Sequence, residues 1–150
     1  MEKFGAYKII PHKELIIEYY AGVITVKDLI LFKKRIRQDP NYNLYWNTLL
    51  DLRDSKVSIK SSEIPQVIDF MKIGYNEALT RNTMFLSSRS NEIALAELYS
   101  LLVKGSSLNF NIYNVSSIEA VVLNFCENII DKQELVTIIN DLKTNTNNIY

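Results

Sequence analysis

The chain has 150 residues, 47% of them hydrophobic and 23% charged, which suits one globular domain able to bury about 70% of its unfolded surface. Its 17 basic and 17 acidic residues cancel to zero net charge, so no long-range field gathers nucleic acid or an anionic membrane. A single cysteine, Cys126, and a single histidine, His12, exclude an intrachain disulfide, a cysteine-rich zinc site and any multi-histidine metal site.

The N-terminus lacks the apolar run of a signal peptide, and no stretch reaches the ~18–20 apolar residues of a membrane span. A cytoplasmic protein without integral membrane contact is the expectation.

Two β-branched and aromatic runs, Ala6–Pro11 and Glu14–Ala21, flank His12-Lys13 and read as an antiparallel hairpin. Ile16, Ile17, Tyr19 and Tyr20 make the second strand apolar on both faces, as a covered interior strand requires, and Gly22 is expected to end it. Thr25 with Asp28 resembles a capping box opening a helix to about Arg37, with Val26, Leu29, Ile30 and Ile36 inward, stopped at Asp39-Pro40-Asn41. Thr48–Leu52 reads as a short buried strand and Arg53-Asp54-Ser55 as the loop leaving it. Ser61 or Ser62 would cap a second helix, with Pro65 in its first turn and Ile64, Val67, Ile68, Met71, Tyr75, Ala78 and Leu79 on one stripe. Thr83–Ser87 is the next strand, Asn91–Val103 a third helix ended by Gly105, and Phe110–Val115 a fifth strand. Ser116 with Glu119 would cap a fourth helix running to about Cys126.

Asp131 and Glu134 form another capping box, ahead of a stripe of Leu135, Ile138, Ile139 and Leu142. A helix of about 11 residues is marginal alone, so this one must dock, either on an uncovered part of the domain or on a second copy. The expected organisation is one domain over 1–130, an added amphipathic helix of the same domain over 131–143, and a disordered tail over 144–150. The order β-β-α-β-α-β-α-β-α, with that extra helix, implies an α/β fold with a mixed, mostly parallel five-stranded sheet.

Gly22-Val-Ile-Thr-Val-Lys-Asp-Leu29, Asp39-Pro40-Asn41-Tyr42 and Leu49-Leu-Asp-Leu-Arg53, together with the strand–helix–strand–helix run from Phe85 to Phe125, resemble the STAS-like proteins related to sporulation anti-sigma-factor antagonists. The resemblance covers residue 6 to about residue 126. It implies a non-enzymatic regulatory or protein-interaction module in bacterial signalling, with another protein as partner and no cofactor. In that family a regulatory serine stands at the N-terminus of the helix after the third strand, in an Asp-Ser-(Ser/Thr)-Gly-like turn. This chain carries Lys60-Ser61-Ser62-Glu63 there, without the glycine and after a longer loop. Some related domains of unassigned role are likened to lipid-binding Sec14-type domains, so a small-molecule or lipid carrier with an apolar pocket between sheet and helices is the alternative.

The candidate partner or anion surface comprises Asp51, Arg53, Asp54, Ser55, Ser87, Ser88 and Arg89, placed by two loops at the carboxyl ends of neighbouring strands, where open α/β sheets bind ligands. The bland reading is a solvated ion pair beside helix caps. Ser61 and Ser62 are candidate phospho-acceptors, or one of them is simply an N-cap. Leu135, Ile138, Ile139 and Leu142 are the candidate oligomer contact of a homodimer.

No catalytic or metal site is expected. Asp51 with Asp54 lacks a third ligand, His12 reads as a surface turn residue, and Cys126 beside Phe125 reads as a small buried hydrophobe. Four isolated glycines make no phosphate loop. Tyr42, Tyr45 and Trp46 read either as an interface cluster or as cover for the domain's own core edge.

Overall fold

The hairpin forms as expected. β1 (Gly5–Ile10) and β2 (Leu15–Thr25) pair antiparallel from Gly5↔Tyr20 to Ile10↔Leu15. A 3-10 turn over Pro11–Lys13 joins them, and Glu14 takes the left-handed conformation that closes it. The computed structural model describes residues 4–126 and 129–147. Beyond the hairpin come α1 (Val26–Arg37), β3 (Asn47–Ser58), α2 (Ile64–Lys72), β4 (Arg81–Leu86), α3 (Ser90–Lys104), β5 (Phe110–Val115), α4 (Ile118–Val121) and α5 (Lys132–Asn147).

The five strands lie side by side in chain order, with β2 to β5 parallel and β1 antiparallel at one edge. Crossovers between parallel strands share one hand, so stepping always in the same direction sends every crossover helix to the same face. Accordingly α1, α2 and α3 pack on one side, over Tyr20, Ile24, Leu50, Leu52 and Phe110. The other side carries Ile17, Tyr19, Leu49, Met84 and Leu86, and α4 and α5 cover it together with Val122, Ile129 and Ile130.

That requirement decides where the last helix goes. Leu135, Ile138, Ile139 and Leu142 are buried in the domain's own core with Ile17 and Leu49, so the stripe expected as an oligomer contact is consumed within the chain. Asp131 caps the helix by accepting the Glu134 N–H at 2.8 Å. α5 then continues to Asn147, so residues 144–147 are helical rather than tail.

Two strands outrun the sequence reading. β2 passes through Gly22 to Thr25, and β3 extends to Ser58, so Arg53, Asp54 and Ser55 lie in a strand and not in a loop. The register slips from Tyr19↔Asp51 to Ala21↔Asp54, giving β3 one extra residue, a β-bulge. Gly22 supplies a φ of 74° just beyond it, which a residue without Cβ adopts at little cost.

α2 is shorter than its apolar stripe implies. It ends at Lys72, Ile73 is extended, and Gly74 has a φ of 74°. Arg37 of α1 donates to the Ile73 carbonyl at 2.8 Å and the Met71 carbonyl at 3.2 Å, satisfying groups a longer helix would have used. Tyr75 therefore leaves the helix and stacks edge-on against Phe110 at 5.2 Å.

The caps follow local chemistry. Thr25 and Asp28 form the full capping box at α1, whereas Ser117, one residue beyond the expected Ser116, caps α4 by accepting the Ala120 N–H at 3.2 Å. α4 passes into a π-helical stretch, Val122–Cys126. The burial expected for the Cys126 side chain falls outside the described residues.

Candidate functional site

Strand alternation puts Asp51 and Arg53 on one face of β3, the face that α5 covers. Asp51 is buried and takes a bidentate pair from Arg53, Nε to Oδ1 at 2.9 Å and Nη2 to Oδ2 at 2.7 Å. The β3 bulge turns Asp54 to the same side. There its Oδ2 accepts the Tyr19 hydroxyl at 2.8 Å and lies 2.9 Å from Lys143 Nζ of α5. Burial pushes the Asp54 carboxyl up, but the hydrogen bonds from Lys143 and Tyr19 prevail and hold it below its ordinary value. Burial, followed by the hydrogen bond to Asp54, raises the Tyr19 phenol.

Arg53, Asp54 and Ser88 line one polar cleft of about 360 Å³ with Asn140 and Lys143. Asp51 stands behind Arg53. The other three candidates go elsewhere. Ser55 is buried and donates to the Leu52 carbonyl at 2.9 Å, Ser87 is buried with its Oγ unpartnered, and exposed Arg89 reaches the Ser55 carbonyl at 3.3 Å. The expected seven-residue surface is thus divided. Tyr19, Asn140 and Lys143 are its unforeseen members, and nothing in the residue pattern brings Lys143 to β3 until α5 is docked.

Ser61 and Ser62 occupy an exposed 3-10 turn and neither caps α2 through its side chain. The Glu63 carboxylate takes the Lys60 N–H instead, at 2.8 Å. Tyr42 and Tyr45 serve the domain's own edge: their hydroxyls accept from Arg81 Nη1 at 3.2 Å and from the Asn76 N–H at 2.9 Å.

The opposite face of the sheet holds a more unusual set. Glu18 is 1% exposed. Lys33 of α1 donates to both its oxygens, at 2.8 and 2.6 Å, and the Tyr20 hydroxyl donates to Oε2 at 2.6 Å. Burial lowers the Lys33 ammonium to about 8, with the Glu18 charge opposing the shift. Arg81, also 1% exposed, donates from Nε to Thr83 and from Nη1 to Tyr42 and the Leu44 carbonyl. Its guanidinium lies 5.5 Å from the Phe110 ring centroid. Of these groups Tyr20, Lys33, Arg81, Thr83 and Phe110 stand on the wall of a cavity of about 90 Å³ between the sheet and α1, α2 and α3.

A signal for this cluster existed in the chain. Glu18 interrupts the otherwise apolar Ile16–Tyr20, and Lys33 falls on the inward phase of a helix with Leu29 and Ile36. Charges on apolar phases mark buried partners as readily as they mark solvent.

Tyr99 lines the same cavity, and burial pushes its phenol up to about 12. Above pH ~10 the folded protein therefore keeps a proton that the unfolded chain loses, so this group's contribution to stability falls as pH rises from about 10 towards about 12. Urea unfolding should show a loss between pH 9 and pH 11 that Tyr99→Phe reduces by about 1 kcal/mol. Identical pH slopes in the two proteins would contradict this.

Among the described residues no group of three His, Cys, Asp or Glu side chains stands where a metal ion could be held, and no helix is long and apolar enough to cross a membrane. No family model matches the chain, no curated protein is similar to it, and no solved structure matches its fold.

Proposed function

We propose that this chain is a non-enzymatic regulatory module of the STAS-like type that meets a partner protein through the outer face of α3 beside the edge strand β5. The observation that carries the reading is an apolar stripe facing solvent. Ile93, Leu101 and Leu102 are 38, 63 and 37% exposed; Ala94, Leu98 and Leu102 form one i, i+4, i+8 row, and Ile93 and Leu101 stand on the adjacent row with Glu97 between them. β5 is last in the sheet order, so its outer edge has no strand neighbour. Glu97 accepts from Asn114 of β5 at 2.7 Å, which ties the stripe to that edge. Clustered exposed apolar side chains favour protein contact.

The polar cleft at Arg53, Asp54 and Lys143 is the weaker surface for this purpose, because its charges already satisfy one another. The carrier reading has less support. Drug-sized ligands occupy about 300–1,000 Å³, well above the 90 Å³ between sheet and helices.

Affinity capture with three proteins tests the surface. The wild type and Arg53→Ala/Arg89→Ala should retain the same stoichiometric partner, while Ile93→Glu/Leu101→Glu should lose it with circular dichroism unchanged. If the folded Ile93→Glu/Leu101→Glu variant keeps the whole partner profile, the α3 face is not the docking surface.

A further inference from the structure

The wall of the cavity between the sheet and α1 to α3 carries two cations, Lys33 and Arg81. Glu18 is neutralised by Lys33, with both of its oxygens in use. Arg81 has no such counterpart: among the described residues no carboxylate lies within 4.0 Å of its guanidinium. Its hydrogen bonds run from Nε and Nη1 to neutral acceptors, leaving Nη2 without a protein acceptor among the described residues. A charge this deeply buried is costly unless paired. Tyr99 adds a second donor, since its hydroxyl has no hydrogen-bond partner among the described residues while its ring rests on Phe85. The remaining wall is almost wholly apolar, including Leu95, Ala96 and Phe110.

We propose that this cavity is a binding site for a short-chain monocarboxylate, its carboxylate on the free guanidinium edge of Arg81 and the Tyr99 hydroxyl and its hydrocarbon end against the apolar wall. The cavity meets α3 through Leu95, Ala96 and Tyr99 and not through Ile93 or Leu101 of the docking face. Guanidinium is the side chain best matched to a planar carboxylate. One unmatched positive charge calls for a monoanion, and the apolar lining calls for a hydrocarbon body. The volume sets the length. At about 90 Å³ the cavity is well below the ~300–1,000 Å³ of drug-sized sites, which limits the ligand to a few carbons.

The test is a titration of the full chain with sodium propionate up to about 50 mM, a range suited to the small affinity that a ligand of so few atoms can have. Binding is read from the rise in unfolding midpoint and from the carboxylate signal of ¹³C-labelled propionate. Propionamide and sodium chloride at matched ionic strength are the controls. Arg81 also ties down Leu44 and Tyr42, so its replacement would report on folding as well, and two other variants are used. Ala96→Leu fills the cavity and should weaken propionate binding at least tenfold; Tyr99→Phe removes one donor and should weaken it several-fold. The proposal is overturned if propionate has no effect, as a cavity holding only water would give. Equal responses to propionamide or chloride, or undiminished binding in both variants, would overturn it too.

Discussion

Glu18→Gln is expected to destabilise the domain by about 3–5 kcal/mol, the range for removing one partner of a buried ion pair. Lys33 Nζ stands 2.6 Å from Glu18 Oε2 with both side chains almost fully buried. Gln keeps the shape and an acceptor for Tyr20 but leaves the ammonium without its counter-charge. Arg81, which already acts against the charged form of Lys33, worsens the isolation. The loss should be specific to the single change. Glu18→Met/Lys33→Met removes both charges and should restore stability to near that of the wild type, because apolar replacement of a whole buried pair is commonly neutral or stabilising by about 1–4 kcal/mol. Urea unfolding of the two single variants and the double variant completes the cycle. A cost below about 1 kcal/mol for Glu18→Gln would mean that water reaches the pair, as it does for surface salt bridges.

Leu135→Ala should cost about 3–5 kcal/mol, as large-to-small changes do at fully buried leucines, and Leu135→Glu/Ile139→Glu should abolish cooperative unfolding altogether. Leu135 is 0% exposed, and Ile139 is buried beside it in the core that contains Ile17, Leu49 and Met84. Charges there would be driven against the sheet. The distinguishing measurement is light scattering after size exclusion combined with circular dichroism. A stripe that merely joined two copies would yield a folded monomer when mutated, whereas a stripe that covers the sheet yields an unfolded chain. A folded, cooperative Leu135→Glu/Ile139→Glu monomer would refute the assigned docking of α5.

The limits of the sequence reading show best at two glycines. Gly22 reads as a strand end and Gly74 falls within the span expected for the second helix, yet both adopt a φ of 74° with opposite consequences. At Gly22 the parallel partner β3 continues past the bulge, so the ladder resumes from Ala21↔Asp54 to Thr25↔Ser58. At Gly74 Arg37 from another helix takes the terminal carbonyls and α2 stops. In each case a neighbour remote in sequence decides between outcomes that local propensity leaves equal. Element type and order needed no such information, because period and caps are local; Phe110–Val115 and the Thr25–Asp28 cap match their expected residues.

The site residues divide on the same principle. Asp51, Arg53 and Asp54 were singled out at an expected strand end that the structure moves to Ser58, and a cleft gathers two of them with Ser88. Lys143 was not, since its meeting with Asp54 depends on how α5 docks. Glu18 and Lys33 carried a readable signal, a charge on an apolar phase. Arg81 stands one residue after Thr80, at the head of a strand, where a basic side chain suggests solvent; only the roof of Tyr42 and Leu44 makes it an interior charge.

The strictly sequential strand order also has a consequence for the chain's emergence from the ribosome. Strands and crossover helices are made in the order in which they assemble, so the α1–α3 side can form as synthesis proceeds, N-terminal part first. The opposite side cannot: its cover is encoded at 118–121 and 132–147, after every strand has been made. Until residues 118–147 have emerged, the sheet presents Ile17, Leu49, Met84 and Leu86 without that cover. The nascent domain is therefore most prone to self-association just before α5 emerges, and slowing synthesis there would raise aggregation without changing the stability of the folded domain.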